Sequence, residues 1–186
     1  FYSEQKTDLE ESISAIEKII EELEVNMKVQ FKEQFTQVNE NFKYVYKRLF
    51  GGGEGELTIL DEDNILESDI QITAKPPGKK MKNLNLLSGG EKALTAISIL
   101  FAIILAKPTP FCILDEIEAP LDDANIFRFG EYLKELSEDT QFIAVTHRRG
   151  TMEAADYIYG VTMEKKAISK VIGVDLHEAH KMTDII

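Results

Sequence analysis

The chain has 186 residues, 44% of them hydrophobic, and a formal net charge of -12. That is enough apolar material for one core, and the acidic balance excludes general binding of nucleic-acid phosphate by the chain's own surface, which would need a basic face. A single cysteine, Cys112, excludes an internal disulfide and fits a reducing compartment.

Residues 1–50 hold 7 Lys/Arg and 10 Asp/Glu, and the rest hold 14 and 23, so no basic segment balances an acidic one. From Leu9 to Leu49 the apolar residues fall at Leu9, Ile13, Ile16, Ile20, Leu23, Met27, Phe31, Phe35, Val38, Phe42, Val45 and Leu49. Alternating steps of three and four are a heptad seam, and the three consecutive fours from Leu23 to Phe35 read as a stutter. Proline and glycine are absent from residues 1–50. The spacing predicts one projecting helix whose seam needs a partner strand; the alternative is a long amphipathic helix lying on its own domain. Gly51-Gly52-Gly53 ends it. Residues 1–50 are therefore expected to be a coiled-coil stub and 51–186 a globular lobe.

Leu57–Leu60 and Ile70–Ala74 read as strands around the acidic turn Asp61–Asn64. Pro76-Pro77-Gly78 stops the second, and Lys79, Lys80 and Lys82 follow as a solvated basic run. A helix from about Glu91 to Ala106 is apolar nearly all round and is expected to be buried. Its apolar stretch from Ala93, broken by Thr95 and Ser98, is shorter than the roughly 18–20 residues of a membrane span. With no signal peptide at the start, a soluble cytoplasmic protein is expected. Phe111–Leu114 is a wholly apolar strand suited to the centre of a parallel sheet, with Cys112 as a small core residue. A helix over about Asp123–Leu136, a strand over Phe142–Val145, a short helix after Gly150 and strands near Tyr157–Met163 and Ile168–Asp175 complete an α/β alternation.

Four short stretches carry chemistry. Ser88 and Glu91 are spaced as a helix capping box. The glycines between them, Gly89 and Gly90, strip side chains from a helix N-terminus, where exposed amides attract an anion. Yet no G-x-x-x-x-G-K-[ST] phosphate loop occurs anywhere in the chain. Asp115 and Glu116 stand at the carboxyl end of an apolar strand, where open α/β sheets bind ligands; a strand running into an acidic turn is the plainer alternative. Asp122 either caps the next helix or belongs to this site. His147 ends the second apolar strand, placed to bond a phosphate. His177 and His180, in the polar tail, read as surface residues.

Taken together these stretches resemble the ATP-binding-cassette ATPases. Leu87–Glu91 is similar to their signature motif, Phe111–Glu116 to their Walker B strand, Ala119–Asp122 to their D-loop and His147 to their switch histidine. The wording Asp115–Asn125, Pro76–Lys80 and Thr146–Asp156 resembles the SMC (structural maintenance of chromosomes) family, most of all bacterial SMC, over nearly the whole chain; Pro120 stands where many relatives have alanine. The resemblance implies the C-terminal half of a split ATPase head with its returning coiled coil, the phosphate loop lying in a separate N-terminal lobe. It implies ATP and Mg²⁺, neither held by this chain alone, and no hydrolysis by the isolated chain. Ser88 and the amides after Gly89 and Gly90 would meet the γ-phosphate bound on an opposite head, with Glu91 in the same motif. Asp115 would support Mg²⁺ through water, Glu116 would be the general base, His147 would hold the γ-phosphate and Asp122 would signal across the head dimer. Implied partners are the N-terminal lobe, a second head, a kleisin subunit's C-terminal winged-helix domain and, through the full complex, DNA, with no membrane. The strands around Tyr157–Tyr159 and Ile168–Leu176 are the candidate kleisin surface. The expected setting is the cytoplasm, on the chromosome, in condensation and segregation. Two alternatives remain: the head of a related DNA-repair ATPase, and a non-enzymatic coiled-coil adaptor.

Overall fold

The heptad spacing produces a single helix, α1, running from Tyr2 to Phe50. At about 1.5 Å per residue it is roughly 70 Å long. A computed structural model describes residues 2–165 and 168–175. Along the first half of α1 the seam residues Leu9, Ile13, Ile16, Ile20, Leu23 and Met27 are all exposed. Beyond Phe35 the same seam turns into a core: Phe42, Val45, Tyr46, Leu49 and Phe50 are buried. Tyr46 stacks on Phe50 with ring centroids 4.1 Å apart and meets Phe42 edge-on at 5.7 Å. The helix is thus exposed at one end and packed into the core at the other. Gly51, Gly52 and Gly53 all take positive φ, a turn that residues with a Cβ rarely adopt.

Strands β1 (Glu54–Ile59) and β2 (Ile70–Lys75) form an antiparallel pair, with Leu57 opposite Ile72. Asp61 Oδ1 accepts from the Asp63 and Asn64 amides and shapes the turn between them. A two-residue strand, β3 (Lys82–Asn83), extends this sheet and was not legible in the sequence. The sheet lies on the base of α1. Leu57 and Ala74 are buried, and the Leu57 amide donates to Asn39 Oδ1 of α1 at 2.9 Å.

After a turn of 3₁₀ helix at Leu84–Leu86 comes α2 (Gly89–Ala106). It is long and apolar enough to cross a membrane. It is instead a core helix: Leu94, Ile97, Phe101, Ala102 and Ile104 are buried, and Asn41 of α1 donates to the Ala102 carbonyl. Phe101 packs against Phe129, Tyr132 and Phe142 at centroid distances of 5.8, 5.7 and 6.2 Å. Burial all round does not hold, because Ile103 is exposed.

One parallel crossover follows: β4 (Phe111–Asp115), α3 (Asp123–Leu136) and β5 (Gln141–Val145), with Ile113 opposite Ile143 and Asp115 opposite Val145. Among the described residues only one face of this pair is covered. Leu114 is buried, and Cys112 and Phe142 pack against the core. Burial pushes the Cys112 thiol pKa up, as suits a packing residue. Phe111, Ile113, Ile143 and Val145 are exposed. The strand does not sit inside a sheet covered on both faces, as its apolar run had suggested. Helix α4 (Arg149–Glu153) leads to an antiparallel hairpin of β6 (Tyr157–Lys165) and β7 (Ile168–Asp175). Leu176, His177 and His180 lie outside the described residues. The result is a mixed α/β lobe with a long N-terminal helix.

Candidate functional site

Ser88 forms the expected capping box. Its hydroxyl accepts from the Glu91 amide at 3.4 Å and donates to Glu91 Oε2 at 2.8 Å, and the Ser88 amide donates to the same oxygen at 2.9 Å. Lys79, read from sequence as part of a solvated run, donates to Glu91 Oε1 at 2.9 Å. The Ser88 backbone N–H, with the Lys79 ammonium, lowers the Glu91 carboxyl to about 2. The two glycines differ in purpose. A Cβ on Gly90 would sit 3.2 Å from the Pro120 carbonyl oxygen, so Gly90 lets the loop after β4 approach α2 closely. A Cβ on Gly89, the first residue of α2, would meet nothing.

Asp122 caps α3: Oδ1 accepts from the Asn125 amide at 2.9 Å and Oδ2 from the Asn125 side chain at 3.1 Å. Asp122, Pro120 and Asn125 line a cleft of ≈ 380 Å³ together with Ser88, Gly90 and Glu91. The fold thus unites two motifs more than thirty residues apart in sequence.

Asp115, Glu116 and His147 do not line that cleft. They form a second group at the carboxyl ends of β4 and β5. His147 Nδ1 lies 3.3 Å from Glu116 Oε1. Glu116 is the only non-glycine residue with positive φ among those described, at 48°. Such backbone is uncommon for a side-chain-bearing residue and is held in place by its surroundings. Here the Glu116 amide donates to the Val145 carbonyl at 2.9 Å, while its own carbonyl accepts from Ala119. Both Glu116 and His147 are more than half exposed. Asp115 is exposed too, on the bare side of the β4–β5 pair.

Sequence reasoning missed two residues that organise this region. Glu118 is 2% exposed and accepts hydrogen bonds from the hydroxyls of Thr146 and Thr151. Arg148 donates to the Leu121 carbonyl at 3.0 Å and to Asp123 at 3.2 Å. Nothing in local composition marks a glutamate in a turn as buried, so only tertiary packing identifies Glu118.

Among the described residues no three His, Cys, Asp or Glu side chains come together as a metal-binding group. A cation here would need other ligands besides Asp115.

A family model described as "RecF/RecN/SMC N terminal domain" matches residues 3–170. The chromosome partition protein Smc of Bacillus subtilis is 54% identical over 178 residues, covering 96% of this chain and 15% of that protein. This chain therefore spans about 15% of the length of such curated relatives. One solved structure, from work on ATP-driven dimerization and DNA stimulated activation of SMC ATPases, superposes with a TM-score of 0.74 at 40% identity, over 84% of this chain and 95% of that one. A second is the Smc head domain with an extended coiled coil bound to the C-terminal domain of ScpA, derived from Pyrococcus furiosus. It superposes with a TM-score of 0.81 at 39% identity, over 92% of this chain and 43% of that one. With a family model matched over most of its length and a relative 54% identical across 96% of it, the chain belongs to the SMC family.

Proposed function

We propose that the chain is the C-terminal lobe of a bacterial SMC ATPase head with the root of its returning coiled coil. As part of the whole protein it acts in chromosome condensation and segregation, in the cytoplasm on the chromosome. The observation that carries this reading is the bare face of the β4–β5 pair. Parallel strands are normally covered on both sides. Here Ile113 is 60% exposed and Ile143 48%, with Phe111 and Val145 beside them. Covering four such side chains is worth roughly 1.5–3 kcal/mol each. Asp115 shares that face, so whatever covers it also reaches the acids.

The residues of the chain support this lobe. An N-terminal lobe would need the phosphate loop, which is absent from all 186 residues. The signature, Walker B, D-loop and histidine elements are present instead. The head with coiled coil from P. furiosus is more than twice as long as the part matched here, which leaves room for a second lobe. The exposed seam from Leu9 to Met27 supports an outgoing partner helix in the same missing part.

The separation of the two motif groups supports a site completed across two heads. Glu116 and His147 serve the ATP bound on their own head, and the backbone at Gly89, with Ser88 and Gly90, meets the γ-phosphate on the other. When bound, Mg²⁺ would supply charge neutralisation at the phosphates, and Asp115 is the residue of this chain that would hold it. Glu116 accepts the proton of the attacking water, with His147 3.3 Å away holding the γ-phosphate. Asp122, in the cleft beside Ser88, carries the state of one site to the other. The kleisin's winged-helix domain docks on the β6–β7 hairpin, where Tyr157, Tyr159, Val161 and Val171 are exposed. DNA contact comes through the full complex.

The test is a head assembled from both lobes. Glu116→Gln keeps shape but cannot accept a proton. ATP-driven dimerisation should persist while hydrolysis falls by about 10²–10⁴-fold. Hydrolysis near the unmutated rate would remove Glu116 from the role of base.

A further inference from the structure

Both chain neighbours of His147 are fastened to the turn that follows Glu116. On one side, the Thr146 hydroxyl donates to Glu118 Oε1 and accepts from the Arg148 amide at 3.0 Å. The same Glu118 oxygen accepts from Thr151 in α4 at 3.0 Å. On the other side, the Arg148 guanidinium bonds the Leu121 carbonyl at 3.0 Å and Asp123 at 3.2 Å, on either side of Asp122. A buried carboxyl group needs hydrogen bonds to be tolerated, and here two hydroxyls from the histidine's own loop and the helix after it meet that need. Because Thr146 has one proton, donation to Glu118 leaves its oxygen free to accept from Arg148, so the two bonds are compatible.

We propose that Glu118 is a positioning residue: it clamps the Thr146–Thr151 loop onto the turn after β4 and so fixes His147 against Glu116. This rests on the hydrolytic roles assigned to His147 and Glu116. The clamp also gives the segment carrying Asp122 a direct mechanical line to His147, through Glu118–Thr146 and Arg148–Leu121. A displacement near 1 Å at a reacting group costs up to about 10²-fold in rate, so a loosened loop is felt in turnover rather than in binding.

The experiment uses the assembled two-lobe head and a double-mutant cycle. Glu118→Ala should lower kcat by about 10-fold to 10²-fold, with KM for ATP and head dimerisation unchanged. Glu118→Gln keeps an amide oxygen for both threonines and should restore most of the rate. In a His147→Ala background, Glu118→Ala should cause no further loss, because its effect passes through the histidine. An equal loss with and without His147, or a loss of dimerisation in step with kcat, would overturn the proposal. Should Glu118→Ala fail to fold, Thr146→Val removes the same bond with little change in shape and should give the same kcat loss; a rate equal to the unmutated one also overturns it. Hydrogen exchange reads the clamp without activity. Amides at residues 146–149 should exchange faster in Thr146→Val, and unchanged exchange refutes the clamp by itself. A head that folds and clamps but shows no turnover would count against the roles of Glu116 and His147, not against the clamp.

Discussion

The two sheets that flank the core were built under opposite conditions. In β1–β3, Leu57 and Ala74 are buried against α1, and even a strand amide is satisfied by Asn39. In β4–β5, the face carrying Ile113 and Asp115 has no cover among the described residues. The bare sheet is the more apolar in sequence, with eight apolar residues of ten in β4 and β5 against five of fourteen in β1–β3. The difference teaches that hydrophobicity alone does not say whether a core is complete within one chain. One region is finished by its own polypeptide, and the other is left exposed. The same contrast runs along α1, which is naked from Leu9 to Met27 and fully packed from Phe42.

The sharpest way to break this comparison is a pair of substitutions. Phe42→Ala, in the finished region, should destabilise the isolated chain by about 3–5 kcal/mol, by loss of burial and creation of a cavity. Ile113→Asp, on the bare face, should change its stability by no more than about 0.5 kcal/mol yet abolish capture of the N-terminal lobe. Thermal melts and co-purification read the two effects. If Ile113→Asp unfolded the chain, the face would be part of its own core.

A smaller effect is expected at the hairpin. Tyr159 and Val171 are exposed there, at 69% and 62%. Tyr159→Asp and Val171→Asp should weaken binding of the kleisin's C-terminal domain by at least about 10-fold, or 1.4 kcal/mol, and leave ATP-driven dimerisation intact. Unchanged binding would move the docking site elsewhere on the lobe.

The smallest effect concerns acid. The Glu91 carboxyl is held down to about 2 when folded, first by the Ser88 amide and then by Lys79. A lowered folded-state pKa stabilises above the ordinary carboxylate range, and this contribution is lost as pH falls from that range toward about 2. Glu91→Gln should therefore cost about 1 kcal/mol at neutral pH, and the gap between variant and parent should close on acidification. Paired melts across that window check it, and a gap that widened would contradict the sign.

Much of this fold was legible in the residues. The heptad spacing marked α1, Gly51–Gly53 its end, and the capping box fixed the start of α2. Helix α3 begins and ends where it was expected, at Asp123 and Leu136, and β4 and β5 followed from four-residue apolar runs. The pairing of Glu116 with His147 followed from two acids and a histidine ending neighbouring strands. What escaped depends on long-range contact. Two residues are too few to show a strand, so β3 was invisible. Lys79 and Glu91 are joined only because the Pro76–Gly78 turn folds back. The positive φ of Glu116 has no sequence mark, since glycine is the usual signal. Glu118 looked like any turn acid until Thr146 and Thr151 closed over it.

The central claim is that this chain is one lobe of an ATPase and is chemically incomplete by itself. ATP turnover by the purified chain, measured alone and after co-expression with the N-terminal lobe, tests it most directly. The account predicts no turnover alone and clear turnover with the second lobe, because the phosphate-binding loop and its lysine come from there. Turnover by the chain alone that Glu116→Gln abolishes would contradict it.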